Sequence, residues 1–336
     1  MKVAVVGAGA IGGYLGAKLA LAGEDVTFIA RGRNLEAIRA SGMQLVLEDG
    51  SKHIAAPVKA FQNPADAGTQ EFILLTVKAH QVTALAPQLQ AMYGPDTAVV
   101  TMQNGIPWWY FQRYGGELEG RPVTSADPDA TIARHIEPRR IIGSVVYPAA
   151  ELVQPGVVQV VEGNRFTLGE LDGSTTPRIE AISQALIRSG LKAPIVADIR
   201  SEIWLKLWGN LSFNPISALT HATLVEICQF PLTRSLAAAM MTEAQQIAEK
   251  LGVTFRVSLE KRIAGAERVG AHKTSMLQDV EHGRAIELEA LVGSVAELGR
   301  MTATPTPHID AVYACASLLA RTLAAQHGRV RVEPIS

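Results

Sequence analysis

The stretch that decides the fold is "KVAVVGAGAIGGYLGAKLALAGEDVTFIAR", residues 2–31. It begins with a short β-rich run, turns at a cluster of glycines, continues with helical periodicity to Gly23 and ends in a second β-rich run. Strand, glycine turn, helix and strand in this order form a βαβ unit. The sequence therefore predicts an α/β protein whose N-terminal part is a Rossmann-type, doubly wound parallel sheet.

The glycine turn has the spacing G-x-G-x-x-G, formed by Gly7, Gly9 and Gly12 with Ala10 and Ile11 between them. The first glycine permits the tight turn, the second lets a pyrophosphate approach the backbone, and the third allows close packing of helix on strand. A glycine turn without a ligand is the alternative. Because the motif follows a strand and opens a helix, it favours a dinucleotide site.

The end of the second β-run distinguishes between dinucleotides. An NAD site usually places an acidic residue there, whereas an NADP site places an arginine. This chain has Arg31 and Arg33 and no acid at the strand end. Two solvated surface arginines are the alternative, but Arg31 can pair with a 2′-phosphate that a carboxylate would repel. We expect NADPH as the cofactor.

Two more loops follow predicted strands, at the sheet edge where ligands bind in this architecture. One carries Lys78 and the other carries Asn104 and Gly105. Asn-Gly is also a common turn, and a lysine after a strand is often only solvated. Their position at the ligand edge favours a role for Lys78 and Asn104 in holding the cofactor.

In the remaining chain, the predicted secondary structure changes near residue 196 from mixed strands and helices to helices. Before it, further strands are predicted at 43–48, 72–77, 97–102 and 141–149, residues 156–169 resemble a hairpin, and 176–190 resemble a helix. After it, the pattern predicts helices that are broken near Gly209, Pro215, Pro231 and Gly252. We therefore expect a Rossmann domain over 1–197 and an all-helical domain for substrate binding or dimerisation over 198–330.

Composition excludes several classes of function. The 336 residues are 48% hydrophobic and 19% charged with a net charge of −1, and no basic block indicates nucleic acid or an anionic membrane. No apolar run reaches the ~20 residues that span a bilayer. Two cysteines and eight histidines without metal-ligand spacing predict no metal site and no disulfide framework. The expected location is the cytoplasm.

An apolar segment in the second half carries an unusual polar stripe. Within "EIWLKLWGNLSFNPISALT", residues 202–220, polar side chains recur every fourth position at Lys206, Asn210 and Asn214. A step of four advances 400° around a helix, so the three lie on one slowly drifting face. A solvated face is the alternative, but large apolar residues leave little of this helix free for water. The stripe suits a polar cleft for a substrate with a carbonyl and a carboxylate.

A second polar cluster lies in "HKTSMLQDVEHGRAIELEAL", residues 272–291. On one continuous helix, Ser275 and Glu287 would share a face but stand about 18 Å apart. A loop or a break near Gly283 is needed for both to reach one small ligand. Ordinary solvated helix residues are the alternative for both.

Taken together, these motifs resemble the ketopantoate reductases, which reduce 2-dehydropantoate to pantoate with NADPH. The matching elements, in family order, are "GAGAIGGYLGAKLALAG", Arg31, "VKAHQ", "MQNG", "EIWLKLWGNLSFNPISALT" and "KTSMLQDVEHGRAIELEALVG". The resemblance implies that Lys206 is the general acid and that Glu287 orients the substrate. It also implies that Asn104, Asn210, Asn214 and Ser275 line the substrate and nicotinamide pocket.

One segment departs from the family pattern. About 35 residues, 106–140, separate Asn104-Gly105 from the next strand, and they begin with the aromatic run Trp108–Phe111. These aromatic side chains are expected either to form a lid over the substrate or to anchor the segment on the domain surface or at a dimer contact. A lid would favour a different or bulkier 2-oxo acid.

Two other readings remain beside the reductase of 2-dehydropantoate. One is a related reductase whose substrate is selected by the aromatic segment, and the other is a catalytically silent sensor that binds NADPH. The presence of Lys206 together with Glu287 argues against the sensor, because ligand sensing needs no proton donor. The expected partners are a small 2-oxo acid and, for the oligomeric state, a second copy in a homodimer.

Overall fold

The computed structural model describes residues 1–333, and the chain divides into two compact units. The first comprises Met1–Gln103, Trp108–Pro122 and Asp127–Ile199. The second comprises Asn104–Pro107, Val123–Ala126 and the chain from Arg200 onward. The loop after Gln103 thus contributes two short pieces to the second unit.

The strands of the first unit form two sheets. They are β1 (Lys2–Val6), β2 (Asp25–Ile29), β3 (Met43–Val46), β4 (Lys52–Ala55), β5 (Lys59–Phe61), β6 (Gln70–Leu75), β7 (Tyr93–Thr101), β8 (Ile141–Val146), β9 (Ala149–Gln154), β10 (Val157–Glu162) and β11 (Phe166–Glu170). The larger sheet has seven strands in the order β11-β8-β7-β6-β1-β2-β5. All its pairings are parallel except that of β11 with β8, which confirms the doubly wound α/β fold.

Helices of the first unit cover the sheet. They are α1 (Ala10–Leu21), α2 (Gly32–Ser41), α3 (Ala79–Leu89), α4 (Thr131–His135) and α5 (Pro177–Arg188), with short 3₁₀ turns at Pro64–Ala67, Gln90–Met92, Gly116–Leu118 and Pro138–Arg140. The central strands are buried on both faces, as the nearly continuous apolar run of β1 requires. Gly16 lets α1 lie close to this sheet, because a Cβ there would stand 2.3 Å from the ring of Phe28.

The smaller sheet has the order β4-β3-β10-β9 and corrects one prediction. Residues 156–169 do not form a hairpin, because β10 pairs with β9 and β3 whereas β11 pairs with β8 of the larger sheet. Alternation of apolar and polar residues predicts strands, but it does not say which strand pairs with which.

The second unit is built from helices within the described residues. They are α6 (Ile199–Thr220), α7 (Leu224–Gln229), α8 (Pro231–Lys250), α9 (Leu259–Val269), α10 (Ser275–Glu281), α11 (Ser294–Met301) and α12 (Pro307–Gln326), with a π-helical turn at Glu289–Gly293. Helix α8 begins at Pro231 and ends just before Gly252, as the sequence predicts.

Helix α6 corrects another prediction, because it continues through Gly209 and Pro215 without a break. Gly209 has a packing reason: a Cβ at this position would lie 2.3 Å from the Arg262 guanidinium of α9. Trp208 is fully buried, and its Nε1 donates to the Met241 carbonyl of α8 at 2.6 Å. Tertiary packing therefore overrides the helix-breaking tendency of Gly209.

The aromatic run at the start of the 106–140 segment is buried. The side chains of Trp108, Trp109, Tyr110 and Phe111 are at most 6% exposed. Trp109 packs on Gly143 of β8, and its Nε1 donates to Thr101 Oγ1 at 2.9 Å. These contacts favour the anchor over the lid among the two expectations for this run.

Candidate functional site

A cavity of about 700 Å³ opens at the carboxyl edge of the parallel strands in the first unit. It is lined by the glycine loop and by the residues that follow β2, β5 and β6, together with one side of α3: Val6, Gly7, Ala8, Gly9, Ile29, Ala30, Arg31, Asn34, Gln62, Asn63, Val77, Gln81, Leu85 and Gln88. A crevice at this edge is the ligand position of doubly wound sheets.

The three glycines of the loop differ in what surrounds them. A Cβ on Gly12 would lie 2.0 Å from the Gly7 carbonyl oxygen, and a Cβ on Gly7, whose φ is +104°, would lie 2.9 Å from the Val77 nitrogen. Around Gly9 nothing lies within 4 Å of such an atom. Gly7 and Gly12 are therefore needed for packing, whereas Gly9 keeps a space open beside the backbone.

This open space lies at the N-terminus of α1. Gly9 is the N-cap, no side chain caps the helix, and its first turn contains no acidic residue. The free N–H groups and the open backbone fit a pyrophosphate, as the sequence predicts for Gly7, Gly9, Ala10, Ile11 and Gly12.

Charge in this cavity comes from Arg31. It is the only charged residue among the lining residues within the described chain, and it is exposed at the end of β2 as the N-cap of α2. Arg33 is also exposed in the first turn of α2, which carries no acidic residue. This arrangement suits an added phosphate more than a bare ribose hydroxyl.

Three side chains hydrogen-bond to the backbone of the loops at this sheet edge, and the sequence did not reveal them. Thr76 Oγ1 donates to the Gly7 carbonyl at 2.8 Å, and Gln103 Nε2 donates to the Val77 carbonyl at 2.9 Å. Asn34 Nδ2 donates to the Ala8 carbonyl at 2.6 Å. Their partners are backbone atoms distant in sequence, so no local motif could reveal them.

Lys78 lies at the same edge, as the N-cap of α3. Its backbone N–H donates to Gln81 Oε1 at 3.1 Å, and Gln81 lines the cavity. The structure thus brings Lys78 to the start of the helix that forms one wall.

A second cluster of predicted residues lies within the second unit. Lys206 Nζ donates to Asn104 Oδ1 at 2.6 Å. Burial lowers the pKa of Lys206 from 10.5 to about 8, and attraction by the Glu287 carboxylate opposes that shift. Three residues from distant parts of the sequence therefore form one unit, in which a desolvated ammonium faces an amide oxygen and an anion.

The loop that carries Asn104 rests on the π-helical turn. The Ile106 N–H donates to the Ala290 carbonyl at 2.9 Å. A Cβ on Gly105, whose φ is +89°, would stand only 2.0 Å from the same oxygen. Gly105 is therefore required by close approach as well as by its backbone conformation. The π turn, a feature that is frequent at functional sites, supports the loop that presents Asn104 to Lys206.

The segment that carries Glu287 is separated from α10 by a turn, so the break near Gly283 that Ser275 and Glu287 would need to reach one ligand is present. Helix α10 ends at Glu281, and Gly283 follows with a φ of +66°. Arg284 then ties the segment back, because its Nε donates to Asp279 Oδ1 at 2.9 Å. Ser275 is exposed in the first turn of α10.

The two remaining amides follow Lys206 along α6. Asn210 is half-buried and Asn214 is only 6% exposed. Their place on the helix is that of the predicted stripe. The structure thus shows Lys206 interacting with Asn104 and Glu287. For Asn210, Asn214 and Ser275 it shows where each residue lies on its helix and how far it is buried.

Two further properties concern residues 1–333 as a whole. No group of three or more His, Cys, Asp or Glu side chains in that range could hold a metal ion. None of the helices there is both long enough and apolar enough to cross a membrane.

Family models match nearly the whole chain. Residues 3–173 match the model described as "Ketopantoate reductase PanE/ApbA". Residues 198–320 match the model described as "Ketopantoate reductase PanE/ApbA C terminal".

Individual proteins agree with these matches. The 2-dehydropantoate 2-reductase of Mesorhizobium japonicum is 52% identical over 329 residues, 98% of this chain and 99% of its own length. The 2-dehydropantoate 2-reductase of Archaeoglobus fulgidus is 31% identical, over 89% of this chain and 90% of its own. A crystal structure of a protein from Ralstonia solanacearum MolK2, assigned as a ketopantoate reductase, superposes with a TM-score of 0.91 at 40% identity, over 96% of this chain and 98% of its own.

Proposed function

The chain belongs to the ketopantoate reductase family, and on that premise we propose that it reduces 2-dehydropantoate to pantoate with NADPH. Family membership makes it an oxidoreductase that acts on CH–OH groups. The observation that carries the proposal is the contact of Lys206 with Asn104 under the influence of Glu287. Reduction of a 2-oxo acid requires a proton for the ketone oxygen, and a carboxylate beside the donor can accept the hydrogen bond of a substrate hydroxyl.

NADPH would supply the hydride when it is bound. The residues proposed to hold it are the glycine loop at its pyrophosphate, Arg31 at its 2′-phosphate, and Lys78 and Asn104 nearer the nicotinamide. The open space at Gly9 and the absence of carboxylates among the described lining residues support this assignment.

Lys206 is the proposed general acid. As the substrate ketone is reduced, negative charge grows on its oxygen, and the ammonium stabilises that charge and donates its proton. A pKa of about 8 leaves roughly nine-tenths of the lysine protonated at pH 7 while making it a stronger acid than an ordinary lysine. Asn104 Oδ1 fixes the direction of Nζ, because it accepts one of its three hydrogens.

Glu287 has two proposed roles. Its charge helps to keep Lys206 protonated, and its oxygens accept the hydrogen bond of a substrate hydroxyl. Asn210, Asn214 and Ser275 are proposed to bind the substrate carboxylate and to set its orientation. These three assignments rest on the family resemblance and on the position of the residues.

A substrate panel tests the proposal. NADPH oxidation is followed with 2-dehydropantoate, with smaller and bulkier 2-oxo acids, and with an oxo acid that lacks the hydroxyl. We expect the highest kcat/KM for 2-dehydropantoate. A higher value for a bulkier acid would point to the related reductase, and NADPH binding without turnover of any acid would point to the sensor.

Cofactor choice is tested separately with Arg31→Asp. The change replaces a phosphate-binding cation with a repelling anion, so we expect the preference for NADPH over NADH to fall by about 10- to 100-fold. The same change at Arg33 is the matched comparison. If Arg33→Asp alone reversed the preference, the 2′-phosphate would be bound there instead.

The proposed location and assembly follow from other observations. Both cysteines are free thiols, which suits the reducing cytoplasm in which NADPH is regenerated. The proposed assembly is a homodimer, because the second unit exposes large apolar side chains such as Leu232 and Leu318.

A further inference from the structure

The π turn of the second unit changes which backbone groups bond to each other. In an α-helix the Ser294 N–H would donate to the Ala290 carbonyl, four residues back, but here it donates to the Glu289 carbonyl, five residues back. The Ala290 carbonyl instead accepts from the Ile106 N–H at 2.9 Å and from Ser294 Oγ at 2.7 Å. The π turn therefore frees the acceptor that binds the loop after β7.

The side chain of Glu289 lies over its own turn. Helical side chains usually lean toward the N-terminus of the helix. The Glu289 carboxylate lies in the other direction, beside Gly293: a Cβ on Gly293 would stand 2.5 Å from Glu289 Oε2. The glycine leaves the room that the carboxylate needs, and a side chain in this direction needs a partner that holds it.

Tyr313 of α12 is that partner. Its hydroxyl donates toward both Glu289 oxygens, each at 2.7 Å, and lies 3.2 Å from the place of a Gly293 Cβ. Burial and the Glu289 carboxylate raise the pKa of Tyr313 to about 12, so the phenol keeps the proton that it donates at neutral pH. Helix α12 thereby holds the first residue of the π turn.

We propose that Tyr313 is a positioning residue for the reaction and acts through the π turn. By holding Glu289, it keeps this turn in its π form. In an α-helical form the Ser294 N–H would return to the Ala290 carbonyl and compete there with the Ile106 N–H.

The consequence reaches the proposed proton donor through one short loop. Asn104 lies two residues before Ile106, and its Oδ1 accepts from Lys206 Nζ at 2.6 Å. A loop that loses the Ile106 hydrogen bond no longer fixes Asn104, so the direction of the ammonium is lost. The inference rests on the proposed function, in which Lys206 is the general acid.

Removal of the hydrogen bond tests the proposal. Tyr313→Phe keeps the ring, and since the pair is accessible to water we expect a moderate loss of kcat, about three- to tenfold, with unchanged NADPH affinity. Glu289→Ala should have the same effect. Glu289→Gln should keep most of the turnover, because its amide oxygen still accepts from the phenol. Wild-type kcat in Tyr313→Phe, or equal losses in the two Glu289 variants, would overturn the proposal.

Gly293→Ala tests the same contact from the other side. The new Cβ displaces the carboxylate from Tyr313, although alanine favours a helix more than glycine does, so kcat should fall while the melting temperature changes little. In the Tyr313→Phe background it should cause no further loss, because the hydrogen bond is already absent. Gly265→Ala is the matched control: this glycine of α9 has only the end of Arg268 nearby, at 3.9 Å, and kcat should stay unchanged. Losses that add in the double variant would contradict a shared mechanism.

Hydrogen exchange tests the positioning without the reaction. Peptides that contain the Ile106 N–H should exchange faster in Tyr313→Phe than in the wild type, whereas peptides of β1 should exchange alike in both. An unchanged rate at Ile106 overturns the inference, whatever the turnover. Faster exchange in a protein that reduces none of the 2-oxo acids overturns the proposed function and supports the link from Tyr313 to the loop.

Discussion

The cavity of the first unit and the Lys206 cluster of the second differ in the interactions on which their proposed functions depend. In the cavity, the groups proposed to bind the cofactor are backbone N–H donors, the open space at Gly9 and the exposed Arg31. In the Lys206 cluster, the decisive quantities are desolvation and one short contact, which lower the pKa of the lysine and fix its direction.

The difference predicts which property a substitution in each region should alter. A cofactor with many contacts is held by the sum of modest interactions, so single changes at the cavity should act on affinity. A proton donor acts at one atom, so changes at Lys206 or its support should act on turnover. Four predictions test this contrast.

The largest effect is expected for Lys206→Ala. Removal of the proposed proton donor should lower kcat by about 10²- to 10⁴-fold, whereas NADPH affinity should change little. Stopped-flow turnover and fluorescence titration of the cofactor measure the two quantities. Lys52→Ala, at an exposed lysine of β4, is the control and should leave both unchanged. Near-normal turnover of the Lys206 variant would rule it out as the acid.

The second-largest effect is expected for Gly105→Ala. The new Cβ would collide with the Ala290 carbonyl 2.0 Å away, so the loop must move and carry Asn104 from Lys206. We expect kcat to fall by about 100-fold and thermal stability to fall as well. Gly115→Ala is the matched control, because its φ of +79° is similar but its surroundings are open. Equal effects at both positions would mean that backbone strain, and not the collision, is responsible.

Gly9→Ala and Gly12→Ala should separate binding from packing within one loop. The Cβ at Gly9 meets no protein atom but fills the space for the pyrophosphate, so cofactor KM should rise by about 10-fold or more with little change in melting temperature. At Gly12 the Cβ would meet the Gly7 carbonyl, so the melting temperature should fall. A large loss of stability in Gly9→Ala would contradict the open space beside the Gly9 backbone.

The smallest effect is expected from pH, within the first pH unit above the Lys206 pKa of about 8. Because the acid must be protonated, kcat should fall above pH 8, by about tenfold for each further unit. Stability should change in the opposite direction: the folded pKa of about 8 lies below the ordinary 10.5, so the unfolded chain binds more protons between these values. The unfolding free energy of the wild type, relative to that of Lys206→Met, should therefore rise from pH 8 to 10. A flat difference would show that the lysine is not desolvated.

The sequence predicted the first region better than the second because its signals are local. Gly7, Gly9, Gly12 and Arg31 lie within one βαβ unit, and their spacing alone implies their places. The supports at Thr76 and Gln103 were missed, because each bonds to backbone atoms of another loop. Patterns within a segment do not report contacts between segments.

In the second region, the stripe on α6 was predicted from periodicity, whereas a break near Gly283 was stated only as the condition for Ser275 and Glu287 to reach one ligand. The continuity of α6 was not predicted, because Gly209 is retained for packing against Arg262. Nor could the sequence show that the Gly105 loop rests on a π turn. Both depend on how closely two backbones or side chains approach in three dimensions.

The π turn at Glu289–Gly293 also sets the angle, around the helix axis, between the residues before it and those after it. A turn of this kind holds one residue more than an α-helical turn, so it shifts the phase of everything after it by about 100°. Downstream on α11, Glu297 accepts from the N–H groups of Thr124 and Ser125 at 2.8 and 2.7 Å. A single-residue deletion in this turn would rotate Glu297 away from that segment while Glu287 stayed in place. The π turn therefore sets the angle between two carboxylates, so that Glu287, just before the turn, acts on Lys206 while Glu297, after it, binds the long loop.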